Sequence, residues 1–123
     1  MIDYKTLRDI QKKERKPELS GIPSNFYEEC RNFIEEITKE YTKTMDPQKR
    51  LLAGNTMEII REITDNRYKK IVHAAATGKK LDNMVGSEKN LYHDLNKTFN
   101  EYKEDFKRRK GDKNDEYNLH YSR

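Results

Sequence analysis

The chain has few residues that crosslink a fold or interrupt its helices and strands: one cysteine, three prolines and five glycines among 123 residues. It has no tryptophan. Because Cys30 is the only cysteine, an intramolecular disulfide is excluded, which is typical of a reducing compartment. The opening five residues lack the apolar segment of a signal peptide. No apolar run approaches the ~20 residues that cross a bilayer. We therefore expect a cytoplasmic protein with no membrane contact.

The composition is polar for a folded chain. Charged residues make up 39% and apolar residues only 33%, whereas a typical domain is about a quarter charged and nearly half apolar. A length of 123 residues fits one domain, so the core is thin. Part of the apolar surface is expected to be buried against a partner. The net charge of +4 comes from interspersed charges and permits nucleic-acid contact without requiring it.

Apolar residues recur at three- and four-residue steps, which is the spacing of amphipathic helices. The first predicted helix covers Asp3 to Arg15 and is followed by a connection, residues 16–23, with two prolines and a glycine. The second begins after Ser24, which is a good N-cap residue, and ends near Lys43. No segment has the alternation of a strand.

Two further helices are predicted in the second half. Asp46-Pro47 combines a capping side chain with a proline that suits the first helical position. This third helix ends at Thr77, because Gly78 is a plausible left-handed cap. The fourth follows Ser87 and ends near Arg109. The predicted fold is thus an all-α bundle of about four main helices, two of them long, with a polar C-terminal tail.

A search for chemical motifs finds no catalytic, metal or cofactor site. The segment 76–80 fails the phosphate-loop pattern, because neither the required first glycine nor the Ser or Thr after lysine is present. His73, His93 and His120 have no zinc-type spacing. Cys30 shares an apolar stripe, which favours a buried thiol over a nucleophile. The sequence therefore predicts a protein that is not an enzyme and needs no cofactor.

Basic clusters at 12–16 and 107–110 leave a second interpretation open. Phosphate contacts would make the chain a small basic helical nucleic-acid-binding protein. Charges near helix ends are also typical of solvated surface that matches the helix dipole. Direct DNA contact therefore remains an open alternative.

Several segments stand in a familiar order: Glu14, Pro17, Leu19, Ile22, Asn25-Phe26-Tyr27, Arg67-Tyr68-Lys69-Lys70-Ile71, Ala74-Ala75-Ala76 and Ser87-Glu88-Lys89-Asn90-Leu91-Tyr92. This pattern resembles the helical domain of a GINS complex subunit, of the archaeal type in which the helical domain comes first. The resemblance makes residues 1–110 the GINS-like helical domain. Residues 111–123 would be a flexible tail or linker to a small β-domain that the chain lacks.

The resemblance implies a non-enzymatic scaffold subunit of the replicative helicase assembly. Its expected partners are other GINS subunits in a homo- or hetero-tetramer, the MCM helicase and a RecJ-like protein, with primase or polymerase as further candidates. A nucleoid-associated location would follow, or a nuclear one in a eukaryote.

The resemblance also assigns structural roles. The residues that match motif positions setting the helical core are Glu14, Phe26, Tyr27, Arg67 and Ile71. We expect Arg67 to pair with an acid of another helix, for which Glu14 is the candidate. The predicted oligomer interface combines the last helix with the N-terminus, through Tyr4, Leu7, Leu95, Phe99, Tyr102 and Phe106.

Overall fold

The computed structural model describes residues 2–112, with side chains through residue 108. Within these residues the chain forms four helices: α1 (Tyr4–Glu14), α2 (Phe26–Thr44), α3 (Pro47–Thr77) and α4 (Glu88–Asp112). The predicted all-α fold with two long helices is confirmed. Helix α4 extends three residues beyond its predicted end, and the rest of the predicted tail, 113–123, lies outside the described residues.

Local capping explains most helix boundaries. The Asp46 carboxylate accepts the Gln48 N–H at 2.9 Å, with Pro47 at the first helical position. Gly78 ends α3 with φ +74°, the left-handed conformation that glycine adopts without strain. The expectation for Ser24 was wrong, because α2 begins one residue later and Asn25 precedes it. The Asn25 side chain donates to the Glu29 carboxylate at 3.1 Å and caps no helix amide.

Helix α3 is the central element and packs against each of the other three helices. In the described part of the chain, α1 and α4 do not pack against each other. The main core cluster brings together the buried apolar residues of three segments: Ile2, Leu7, Ile10, Phe26, Cys30, Ile59 and Ile63. No helix within residues 2–112 combines the length and apolar character needed to span a bilayer.

Helix α2 covers the N-terminal part of α3, whereas α4 runs beside its C-terminal part in the same direction as α3. The Asn96 amide donates to the Ala75 carbonyl at 3.0 Å, and Lys103 Nζ donates to the Ala76 carbonyl at 2.5 Å. These bonds satisfy carbonyls that would otherwise lack partners at the α3 terminus. Because α3 ends at Thr77, the later turns of α4 extend past it.

Candidate functional site

A buried ionic cluster lies where α1, α3 and α4 approach one another, with Arg67 at its centre. The Arg67 side chain is completely buried. Its Nε and Nη2 donate to the two carboxylate oxygens of Glu88 at 2.8 and 2.9 Å, a bidentate arrangement. Nη1 donates to Glu14 Oε1 at 2.8 Å and to the Ser20 carbonyl at 2.9 Å. Nη2 also donates to the Asn83 carbonyl at 2.8 Å. All five guanidinium donors are therefore used.

The two carboxylates of the cluster are satisfied as fully as the guanidinium. Besides Arg67, Glu88 accepts the Tyr27 hydroxyl at 2.5 Å and the Val85 N–H at 2.9 Å. Glu14 accepts the hydroxyl of Ser20 at 2.5 Å and its N–H at 3.2 Å. Each carboxylate thus has partners for both oxygens, as burial demands.

A second cation balances the charge of the cluster. Lys70 Nζ donates to Glu14 Oε2 at 2.6 Å and to the Glu14 and Glu18 carbonyls at 2.6 and 2.8 Å. The connection after α1 also contacts the connection after α3, since the Asn83 amide donates to the Leu19 carbonyl at 3.1 Å. Two cations therefore face two anions, and the cluster joins every helix to both long connections.

The pKa values follow from this network. Burial raises the pKa of Glu14, but hydrogen bonds from Lys70, Ser20 and Arg67 outweigh it and hold the pKa below its ordinary 4.5. Burial likewise opposes ionisation of Glu88, and Arg67 with the Tyr27 hydroxyl and a backbone N–H lowers its pKa. Burial and the neighbouring Glu88 raise the pKa of Tyr27, so its hydroxyl stays protonated. Both carboxylates are ionised at neutral pH.

This arrangement holds the fold together and offers no reactive group. A general acid or base needs a proton that can reach a substrate, whereas Arg67, Glu14 and Glu88 are buried and their polar atoms are already bonded within the cluster. Among the described residues, no group of His, Cys, Asp and Glu side chains could hold a metal ion. Burial raises the pKa of the Cys30 thiol to about 12, which makes it a poor nucleophile.

The structure brings together most of the predicted motif residues. Glu14 and Arg67 form the expected pair, and Tyr27 reaches Arg67 through Glu88. Phe26 packs edge-on against Tyr27 with ring centroids 5.2 Å apart. Ile71 is buried one turn after Arg67 on α3.

Sequence reasoning missed the second anion of the cluster. Glu88 was included in the segment that opens the last helix but received no role. Its position directly after Ser87, in the first turn of α4, is a normal place for an acid. Nothing local indicates that the connection 78–87 returns to Arg67, so the pairing required the tertiary structure.

The predicted interface residues separate into two groups. Leu7 is completely buried within the core, so its side chain is unavailable to a partner, and this part of the prediction is corrected. Tyr4 is half-buried and packs against the same core cluster. On α4, by contrast, Leu95 and Phe99 are half-buried. Tyr102 and Phe106 are 73% and 66% exposed. The α4 residues therefore form a surface separate from the N-terminus.

The basic clusters are partly engaged with acids of the chain. Arg15 Nε contacts Glu62 Oε2 at 2.6 Å, and Arg108 contacts Asp105 at 3.3 Å. Lys12 and Lys13 lie in the last turn of α1, where a cation matches the helix dipole. This placement fits solvated helix ends and gives no added support to phosphate binding.

Comparison with known protein families identifies the family of the chain. Residues 4–120 match the family described as GINS complex subunit Psf2/Psf3-like N-terminal domain, a family that acts in DNA replication. Neither the curated proteins nor the solved structures contain a match. Because the family match covers almost the whole chain, the chain belongs to the GINS complex subunits with a Psf2/Psf3-like N-terminal domain.

Proposed function

We propose that the chain is a non-enzymatic scaffold subunit of a GINS-like oligomer that bridges the MCM ring and a RecJ-like partner in DNA replication. Membership of the GINS family supports this proposal. The archaeal type, with the helical domain first, belongs to the same proposal, as do primase or polymerase as further partners. So does a location at the nucleoid, or in the nucleus of a eukaryote.

The observation that carries the scaffold role is the apolar surface on the later turns of α4, which extend past the end of α3 and are called the projecting part of α4. Tyr102 and Phe106 are 73% and 66% exposed, and Leu95 and Phe99 continue the same helical row at steps of four, three and four residues. Contiguous exposed aromatic surface marks protein interaction sites in soluble proteins. A helix that extends past its own packing partner has room for a second chain alongside it.

The test measures assembly through α4. We expect the chain to form an oligomer whose mass, determined by light scattering, is the same at low and high salt, because apolar contacts are not screened. Phe99→Asn should dissociate this oligomer, and abolish capture of other GINS subunits, while helix content is retained. Leu51→Asn is the matched control, since Leu51 is 65% exposed on α3 and far from α4.

Two results would count against the scaffold proposal. An unchanged oligomer mass for Phe99→Asn would remove α4 as the assembly surface. Failure of the intact chain to associate with other GINS subunits, the MCM helicase or the RecJ-like protein would remove the bridging role itself.

A further inference from the structure

A groove lined mainly by apolar side chains lies between α2 and α3. It has a volume of about 510 Å³, and its apolar lining consists of Tyr27, Cys30, Ile34, Met57 and Ile60. Arg31, Glu35 and Arg61 complete the lining and form the charged edge of this α2–α3 groove. Met57 is 53% exposed although its neighbours are apolar. A volume of this size is within the roughly 300–1,000 Å³ of pockets that bury small molecules.

The projecting part of α4 has two parallel rows of side chains. The apolar row contains Leu95, Phe99, Tyr102 and Phe106. A second row, shifted by one residue, contains Asp94, Thr98, Glu101 and Asp105 at the same spacing. Residues at such steps share one face of a helix. The apolar row therefore has an acidic edge, in which Asp105 also contacts Arg108 at the surface. This edge is opposite in charge to the two arginines of the α2–α3 groove, of which Arg61 also contacts Glu58 at the surface.

The groove cannot receive the α4 helix of its own chain. Ile60 lies seven residues before Arg67 on α3, on the α2 side of the ionic cluster. Phe106 lies eighteen residues after Glu88 on α4, in the opposite direction. At 1.5 Å per residue these distances are roughly 10 and 27 Å from the cluster. The two complementary surfaces of one chain thus point away from each other.

We propose that the α2–α3 groove receives Tyr102 and Phe106 from α4 of a second copy of this chain, with the acidic row facing Arg31 and Arg61. This inference rests on the proposed function, in which α4 is the assembly surface, and it identifies the surface of the other copy that α4 contacts. In a two-fold dimer, the commonest closed assembly, each copy inserts α4 into its partner. Two such contacts bury on the order of 1,000 Å², the lower limit for a specific interface.

Analytical ultracentrifugation of the full chain over a concentration series tests this exchange. Phe106→Glu removes the inserted ring, and Met57→Glu places a charge in the groove that also repels the acidic row. Each variant should weaken dimerisation by about 30-fold, as for a central aromatic contact. Leu51→Glu changes an equally exposed apolar residue of α3 outside the groove and should leave the dimer unchanged. Circular dichroism checks that all variants keep their helix content.

Mixing the two weakened variants gives the sharpest result. The Met57→Glu chain keeps an intact Phe106, and the Phe106→Glu chain keeps an intact groove, so one of the two contacts forms again. The mixture should dimerise about 5-fold more tightly than either variant alone, because one of the two equal contacts that together account for the roughly 30-fold loss is restored. A dimer held by contact between the α4 helices of the two copies predicts no such gain.

The outcomes separate this inference from the proposed function. A Met57→Glu chain that dimerises like the unaltered protein overturns the groove as receptor. If Phe106→Glu alone weakens dimerisation, α4 remains the assembly surface. A monomeric unaltered chain, or a mixture no tighter than its components, also overturns the exchange. In each case the proposed function is judged independently by association with other GINS subunits.

Discussion

Substitution of Arg67 by methionine is expected to destabilise the chain more than any surface change. Glu88 would keep only the Tyr27 hydroxyl and the Val85 N–H and would remain buried without a cation. Glu14 would keep Lys70. Breaking a buried ion pair from one side costs about 3–5 kcal/mol, which is a large part of the ~5–15 kcal/mol that stabilises a typical domain.

Urea unfolding followed by circular dichroism measures this loss. For a slope near 2 kcal/mol/M, the midpoint should fall by about 2 M. Lys49→Met is the matched control, because Lys49 lies on the same helix, outside the α2–α3 groove, and pairs with Glu40 at the surface, where its side chain is 39% exposed. That change should cost less than about 1 kcal/mol. A loss for Arg67→Met no larger than the control would refute the structural role of the cluster.

Two companion variants identify the cause of the loss. Arg67→Lys keeps the charge but cannot form the bidentate contact with Glu88, so its stability should lie between those of the unaltered chain and Arg67→Met. Arg67→Met combined with Glu88→Met removes both members of the pair. It should be more stable than Arg67→Met alone, because no buried Glu88 carboxylate is left without a cation. A strictly additive loss would mean that packing volume, not charge, explains the result.

Three further predictions concern pH, backbone conformation and the thiol. Glu14 and Glu88 have lowered pKa values in the folded chain, so their ionised forms contribute their full stabilisation when the pH is above the ordinary pKa of 4.5. This stability should be lost as the pH falls further, so a urea midpoint that is constant from about pH 6 to pH 3 would contradict it. Met45 ends α2 with φ +53° and is 64% exposed; Met45→Gly should raise stability by about 0.5–1 kcal/mol in thermal unfolding, and a lower melting temperature would disprove the strain. Cys30 is 3% exposed and should react with a disulfide reagent at about pH 8 only as fast as the chain unfolds; rapid modification of the folded chain would show that it is accessible.

Helix identity was predictable because local signals agree with the tertiary structure. The Asp46-Pro47 start and the Gly78 end of α3 both follow from residues whose capping chemistry is local. Ile59, Ile63 and Ile71 recur at helical spacing along α3, and all three are buried. Val72, the residue after Ile71, is 41% exposed, because sequence spacing does not reveal how wide a face of α3 the neighbouring helices cover.

The site itself was only partly predictable. The pairing of Arg67 with Glu14 was suggested by the family resemblance. The apolar spacing of α3 shows only that a charged residue interrupts it and does not indicate the partner of that residue. Glu88 and the carbonyls of Ser20 and Asn83 depend on how two connections fold back. Backbone carbonyls are present at every position, so no side-chain pattern marks the two that Arg67 uses.

The single guanidinium at the centre has a consequence for how the chain unfolds. Helices α1 and α4 do not pack on each other in the described structure, yet each supplies one of the two carboxylates that bind Arg67. Separation of either helix leaves a charge of the cluster uncompensated and thereby weakens the attachment of the other. Opening at one helix is thus transmitted to the other without direct contact, which joins both into one cooperative unit. Slowly exchanging amides in α1 and α4 should then report the same free energy of opening.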